Sequence, residues 1–223
     1  MSGCVPPALS WSGGKDSALA LRSLRDERGV EPHALITTVT SSYDRISMHG
    51  VRRSLLEHQA DALGLPLVEV TIPPGCANTV YEQRWMEAFG SESLEGVEEV
   101  AFGDLFLEDV RRYREVILAR EGKRGLFPLW GRDTTRLAHE FVTAGFRAVL
   151  VCVDPKQLDG SFAGREYDER LLADLPAEVD PCGERGEFHT FVYAGPGFSE
   201  PIACRAGDVV ERDGFVFCDL GVS

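Results

Sequence analysis

Ser12-Gly13-Gly14-Lys15-Asp16-Ser17 directly follows the apolar stretch Val5 to Trp11. A glycine turn between an apolar run and a helical pattern reads as a strand, a tight loop and the first turn of a helix. That geometry makes an anion site, because successive backbone N–H groups and the positive end of the helix dipole converge on one point. Gly13 and Gly14 let the backbone approach a phosphate and adopt positive φ. Ser12 and Ser17 add hydroxyl donors and Lys15 adds a charge. Asp16 would repel a phosphate unless a cation stood between them, so the loop points to a nucleotide with Mg2+. The Walker A spacing and the GxGxxG fingerprint are both absent from this turn.

A second dense cluster is Asp180-Pro181-Cys182-Gly183-Glu184-Arg185-Gly186-Glu187-Phe188-His189-Thr190-Phe191. Strand alternation predicts Glu187 and His189 on one face and Phe188 and Thr190 on the other. A Glu–His pair suits cation binding or proton transfer, although two ligands without a third make a poor metal site. A surface strand with solvated charges is the plainer reading. Gly103-Asp104 follows the fourth predicted strand, where a carboxylate would face the phosphate loop and hold a ribose, a metal or an amine, or would only cap a helix. His49, in Ser47–Arg52, reads either as a nucleotide contact and general acid–base group or as a helix cap. Arg52 suits a phosphate or a surface carboxylate. Phe127–Trp130 reads as packing, with Trp130 lining a cleft as the alternative. Arg111, Arg112 and Arg114 are interspersed with Glu108, Asp109 and Glu115, which suggests a mostly solvated helix face.

The elements that must position these residues alternate. Strands are predicted over Pro7–Trp11, His33–Thr40, Leu67–Ile72 and Val97–Gly103, with helices over 15–28, 51–63, 78–89 and 107–120. This rhythm implies a doubly wound parallel sheet, with ligands beyond the carboxyl ends of its strands. The loops 12–17, 40–49, 73–78 and 103–104 should therefore cluster. After Gly125 the character changes. A strand over Leu126–Trp130, a helix from Asp133 to Ala144, a strand over Arg147–Val153 and a short helix near 167–174 lead into β segments at 188–193, 201–204, 208–211 and 215–220. Arg212-Asp213-Gly214 supplies a hairpin turn. Two domains follow from this, 1–126 for nucleotide binding and a smaller α+β domain at 127–223.

The chain has 223 residues, 43% of them hydrophobic, which suits a sizeable core. No apolar run approaches the roughly 20 residues of a membrane span, and the N-terminus lacks a signal-peptide pattern. A net charge of −13 opposes general nucleic-acid binding. None of the six cysteines forms a CxxC pair. That removes the zinc-ribbon and dithiol readings and favours a reducing cytoplasm. Cys152 and Cys218 read as buried hydrophobes, and Cys182 as the one that loop glycines would expose.

Ser12–Ser17 resembles the SGGKDS signature of the PP-loop, or N-type, ATP pyrophosphatases. Together with Ser47–Arg52, Gly103–Leu105, Pro128–Trp130 and Asp180–Val192, nearly the whole chain resembles the diphthine–ammonia ligase (diphthamide synthase) branch, in a compact prokaryotic form. The resemblance implies an adenine-nucleotide α-hydrolase-like (HUP) domain with a small domain closing over the site. It implies an enzyme that adenylates a carboxylate with ATP, releases pyrophosphate and amidates the adenylate with ammonia. In that scheme Gly13, Gly14, Lys15 and Ser17 stabilise the departing pyrophosphate, Asp16 helps to hold Mg2+, and Asp104, Glu187 and His189 position substrate or ammonia. Ser12, His49 and Gly103 complete the expected nucleotide contacts. The carboxylate would be diphthine on elongation factor 2 where the host makes diphthamide, and another acid elsewhere. No membrane is implied, and a homodimer is left open. The −13 charge opposes the alternative of a tRNA-modifying PP-loop enzyme, and the intact Lys15-Asp16-Ser17 opposes a non-catalytic nucleotide binder.

Overall fold

The computed structural model describes residues 5–41, 45–46 and 50–222. Two sheets organise them. In the first, β1 (Ala8–Ser10), β2 (Leu35–Thr40), β4 (Leu67–Ile72), β5 (Glu99–Ala101) and β6 (Arg124–Leu126) run parallel in the order β4-β2-β1-β5-β6. A two-residue strand, β3 (Arg45–Ile46), pairs antiparallel with the end of β2. The helices are α1 (Lys15–Arg22), α2 (Arg53–Leu63), α3 (Asn78–Phe89) and α4 (Glu108–Arg120). Strand order reverses on either side of β1, so the loops after β1 and β5 face one another across a crevice, the place where open α/β sheets bind ligands.

The second sheet is antiparallel, with β7 (Arg147–Val153), β8 (Phe188–Ala194), β9 (Cys204–Arg212) and β10 (Phe215–Val222) in the order β8-β7-β10-β9. Helices α5 (Thr134–Thr143) and α6 (Glu169–Asp174) accompany it, each started by an aspartate. Asp133 accepts from Arg136 N and Asp168 from Leu171 N, satisfying amides that the helix ladder leaves free. Consecutive positive φ values at Asp213 (53°) and Gly214 (81°) make the expected hairpin turn between β9 and β10.

The apolar positions explain the layering. Ala8 and Leu9 point to opposite faces of the first sheet and both are fully buried. Leu9 joins a core with Leu55, Phe141 and Phe188 that runs into the second sheet. Ala8 joins a separate core beneath α3 and α4, around Trp85, Phe89 and Leu118.

Several expected boundaries shift. The helix predicted over 15–28 ends its α-helical part at Arg22 and continues as a π turn over Ser23–Glu27. The strand predicted over Leu126–Trp130 is instead β6 at Arg124–Leu126, and Phe127–Trp130 closes as a turn in which Trp130 N donates to Phe127 O (3.2 Å). Pro201–Ala203 forms no strand, and the chain enters β9 only at Cys204. Cys182, expected to be exposed, is buried, as are Cys152 and Cys218. Among the described residues, no helix is long and apolar enough to cross a membrane.

Candidate active site

The loop after β1 is shaped by what lies beneath it. Gly13 takes φ +77°, and a Cβ there would stand 2.8 Å from Gln59 Oε1. Gln59, fully buried on α2, accepts from Trp11 Nε1 (2.8 Å) and donates to Gly13 O (3.1 Å) and Val192 O (2.5 Å). Val192 N in turn donates to Gly13 O (2.9 Å), and Lys15 N to Thr190 Oγ1 (3.0 Å). Strand β8 is therefore laced directly to the loop. Ser17 Oγ donates to Gly14 O (2.8 Å) and Gly14 N to Ser12 Oγ (3.3 Å), fixing the turn from inside.

Lys15 is only 2% exposed. Its ammonium donates to Asp16 Oδ2 (2.9 Å) and to the Cys182 carbonyl, and lies 5.4 Å from the centre of the Phe188 ring and 5.9 Å from that of Tyr167. Burial works against its charge, but Asp16, Cys182 and Glu184 outweigh burial and hold its pKa above the ordinary lysine value. Burial likewise pushes the Asp16 carboxyl up, against the pull of Lys15. Asp16 Oδ1 is buried with no protein partner.

Gly103 sits against this loop. A Cβ there would come within 2.8 Å of the Asp16 carbonyl, so only glycine permits the approach. Asp104 forms a 2.7 Å ion pair with Arg114, whose guanidinium lies 4.4 Å from the Phe102 ring centre. Opposite, the 180–187 loop is held by its own carboxylates. Asp180 accepts from Cys182 N (2.7 Å), and Glu187 accepts from Asp180 N (3.0 Å) and Arg185 N (2.9 Å). Tyr167 OH donates to Pro181 O (2.6 Å). Glu184 reaches across the crevice and accepts through Oε1 from Leu105 N (2.8 Å). Burial, with Asp16 and Asp104 nearby, pushes its carboxyl up to about 7.

These residues enclose a cavity of about 220 Å³. Of the residues expected from sequence, Ser12, Gly14, Lys15, Asp16, Ser17, Gly103, Asp104 and His189 line it. Gly13 shapes the loop from below. Glu187 does not line the cavity: it precedes β8, and its two oxygens bind the backbone of its own loop, so strand alternation does not govern it. His49 lies outside the described residues. Arg52 pairs with Asp219 (2.6 Å) on β10, away from the cavity. Of the four loops expected to meet, the first and fourth do; residues 42–44 and 47–49 of the second lie outside the described residues, and Pro73 of the third lines a separate cavity with Ser41. Sequence reasoning missed Arg114, read as part of a solvated face, and also Glu184, Thr190 and Gln59. Glu184 stood in the right cluster, but only its contact with Leu105 separates it from Glu187.

The residues present fit a nucleotide with Mg2+. Among the described residues no three His, Cys, Asp or Glu side chains could hold a metal unaided. Nucleotide-bound Mg2+ needs only one or two carboxylates besides phosphate and water. The unpartnered Asp16 Oδ1 beside a phosphate-shaped loop supplies one.

Comparison with known proteins agrees with this geometry. Residues 7–125 match the family described as diphthamide synthase N-terminal domain, and residues 133–218 match the diphthamide synthase C-terminal domain. A Schizosaccharomyces pombe protein named diphthine–ammonia ligase is 26% identical over 95% of this chain, which spans 38% of that protein's length. Proteins of the same name from Danio rerio and Rattus norvegicus are 28% and 27% identical, each over 94% of this chain, which spans 90% and 86% of their lengths.

Proposed function

We propose a function for a chain that belongs to the diphthamide synthase family: ATP-dependent amidation of a carboxylate by ammonia, with release of AMP and pyrophosphate. The observation that carries it is the loop after β1, with buried Lys15 and an unpartnered Asp16 oxygen at the point where strand order reverses. The acid is diphthine, following the names of the relatives, carried on elongation factor 2 where the host makes diphthamide, and another acid elsewhere. We take 1–126 as the ATP-binding domain, 127–223 as the domain that closes the site, and a reducing cytoplasm as its compartment.

The reaction has two halves. A substrate carboxylate oxygen attacks the α-phosphate of ATP, the bond to the β-phosphate breaks, and an acyl-adenylate and pyrophosphate result. Ammonia then attacks the acyl carbon and AMP leaves. The Ser12–Ser17 loop receives the β- and γ-phosphates, and Lys15 with the loop amides meets the charge that develops on the leaving pyrophosphate. Lys15 is held by Asp16 and the Cys182 carbonyl, so it is oriented before substrate arrives. Asp16 Oδ1 would hold Mg2+, whose chemistry is to neutralise phosphate charge. Asp104, ion-paired with Arg114, and His189 line the same cavity and are assigned to the side where the acid and ammonia enter.

The test is a product analysis with ATP, ammonium and elongation factor 2 bearing diphthine. AMP and pyrophosphate in equal amounts, dependent on both co-substrates, are expected. ADP and orthophosphate would overturn the assignment.

A further inference from the structure

We propose that Glu184 is the catalytic residue of the second half-reaction, accepting the proton that the attacking nitrogen loses. The inference rests on the amide-forming reading above and assigns the ammonia side of the same site.

Three observations place Glu184 there. Its side chain spans the crevice: Oε1 is fixed by Leu105 N (2.8 Å), with Phe106 N at 3.5 Å, while among the described residues no hydrogen bond engages Oε2. Glu184 lines the same cavity as Lys15, Asp16 and Asp104, on the wall opposite the phosphate loop. Of the other carboxylates that line it, Asp104 is engaged by Arg114 through both oxygens, and Asp16 gives Oδ2 to Lys15 while its unpartnered Oδ1 belongs to the phosphate loop. Glu184 is thus the acid side chain of this wall whose free oxygen remains for a ligand.

Its setting suits the task. Lys15 and Asp16 face it from α1 and Asp104 from the loop after β5, and Arg185 beside it turns away to lie 5.6 Å from the Phe106 ring centre. The cation that faces Glu184, Lys15, is already engaged by Asp16 and the Cys182 carbonyl. As the C–N bond forms, nitrogen gives its lone pair to the acyl carbon and becomes positively charged. The C–O bond to AMP then breaks, and one N–H proton passes to the Glu184 carboxylate, leaving a neutral amide. The proton returns to water when AMP departs. A positioned base of this kind contributes roughly 10²–10⁴-fold.

Glu184→Gln tests this, because an amide oxygen can still accept from Leu105 N. The two half-reactions are read separately, with diphthine-bearing elongation factor 2 as the acid. ATP–pyrophosphate exchange without ammonium reports adenylation, and single-turnover amide formation from the preformed adenylate reports ammonia attack. The expected result is exchange within about threefold of the native chain and amide formation slowed about 10²-fold or more. Equal loss in both halves would make Glu184 a structural tie, and normal amide formation would remove it from catalysis. Native protein that shows exchange but no amide would overturn the ammonia assignment while leaving adenylation intact. Native protein without exchange would overturn both. Should Glu184→Gln not fold, Glu184→Asp serves. Shortened by one methylene, it should slow amide formation while exchange persists, and an unchanged amide rate would contradict the role.

Discussion

Glu184 carries a cost in stability. Burial pushes its carboxyl from an ordinary 4.5 up to about 7 in the folded chain. Between those values the folded protein holds a proton that the unfolded chain has released, so stability falls as pH rises through this window and levels off above it. Glu184→Gln should therefore stabilise the protein by about 1–2 kcal/mol near pH 8 and by nothing near pH 4.5. Urea unfolding at the two pH values measures this, and a loss near pH 8 would contradict it. Lys15 behaves oppositely. Lys15→Ala strips Asp16 and the Cys182 carbonyl of their partner, so melting temperature should fall and ATP cleavage drop about 10²-fold or more. Unchanged pyrophosphate release would remove Lys15 from the chemistry. The turn after β1 was legible at this scale because two glycines between an apolar run and a helical pattern already call for a tight strand-to-helix loop. The Glu184–Glu187 distinction was not. Each glutamate follows a glycine of the same loop, Gly183 for one and Gly186 for the other, and only tertiary contacts, Leu105 N for Glu184 and Asp180 N for Glu187, separate them. Arg114 was hidden similarly, since its partner Asp104 lies in the loop that precedes its own helix and its neighbours on α4 are solvated.

At the scale of elements, the site is a consequence of where β1 and β5 end. Gly103 brings the loop after β5 against the first turn of α1. In Gly103→Ala a Cβ would meet Asp16 backbone at 2.8 Å, and backbone cannot swing aside as a side chain can. ATP affinity should fall at least about tenfold with little change in far-UV circular dichroism, read by calorimetric titration; native affinity would show that the two loops need not touch. Gln59 matters in the same way from below. Gln59→Leu leaves Trp11 Nε1 without an acceptor and removes donors from Gly13 O and Val192 O, so a loss of about 2–4 kcal/mol is expected in chemical denaturation. A loss below about 0.5 kcal/mol would show these groups find other partners. The alternating strands and helices were readable because buried strands and amphipathic helices carry distinct apolar periods. The turn at Phe127–Trp130 was not, because an apolar triplet with a proline fits a strand as well as a packed corner. Arg111 sits 4.7 Å from the centres of both the Phe127 and Trp130 rings, a contact that stabilises the corner and that no local pattern announces.

Across the whole molecule, the two sheets behave as one unit around the phosphate loop. Gly13 O takes a hydrogen bond from Val192 N, Lys15 N donates to Thr190, and a single apolar core contains Leu9 of the first sheet and Phe188 of the second. Unfolding should accordingly be one cooperative transition by calorimetry, with ATP and Mg2+ raising its midpoint. Two resolved transitions would show that the halves are independent. The passage from the parallel to the antiparallel sheet was visible in the change of pattern after Gly125. The lacing was not, because hydrogen bonds between residues some 175 positions apart leave no mark on local composition. The proposed function puts ATP's inner phosphoanhydride between the loop and the wall that carries Glu184, and this is the claim on which the rest depends. Supplying the acid substrate with 18O in its carboxylate tests it most directly. The account predicts one labelled oxygen in the phosphate of AMP and none in orthophosphate, and label recovered in orthophosphate would contradict it.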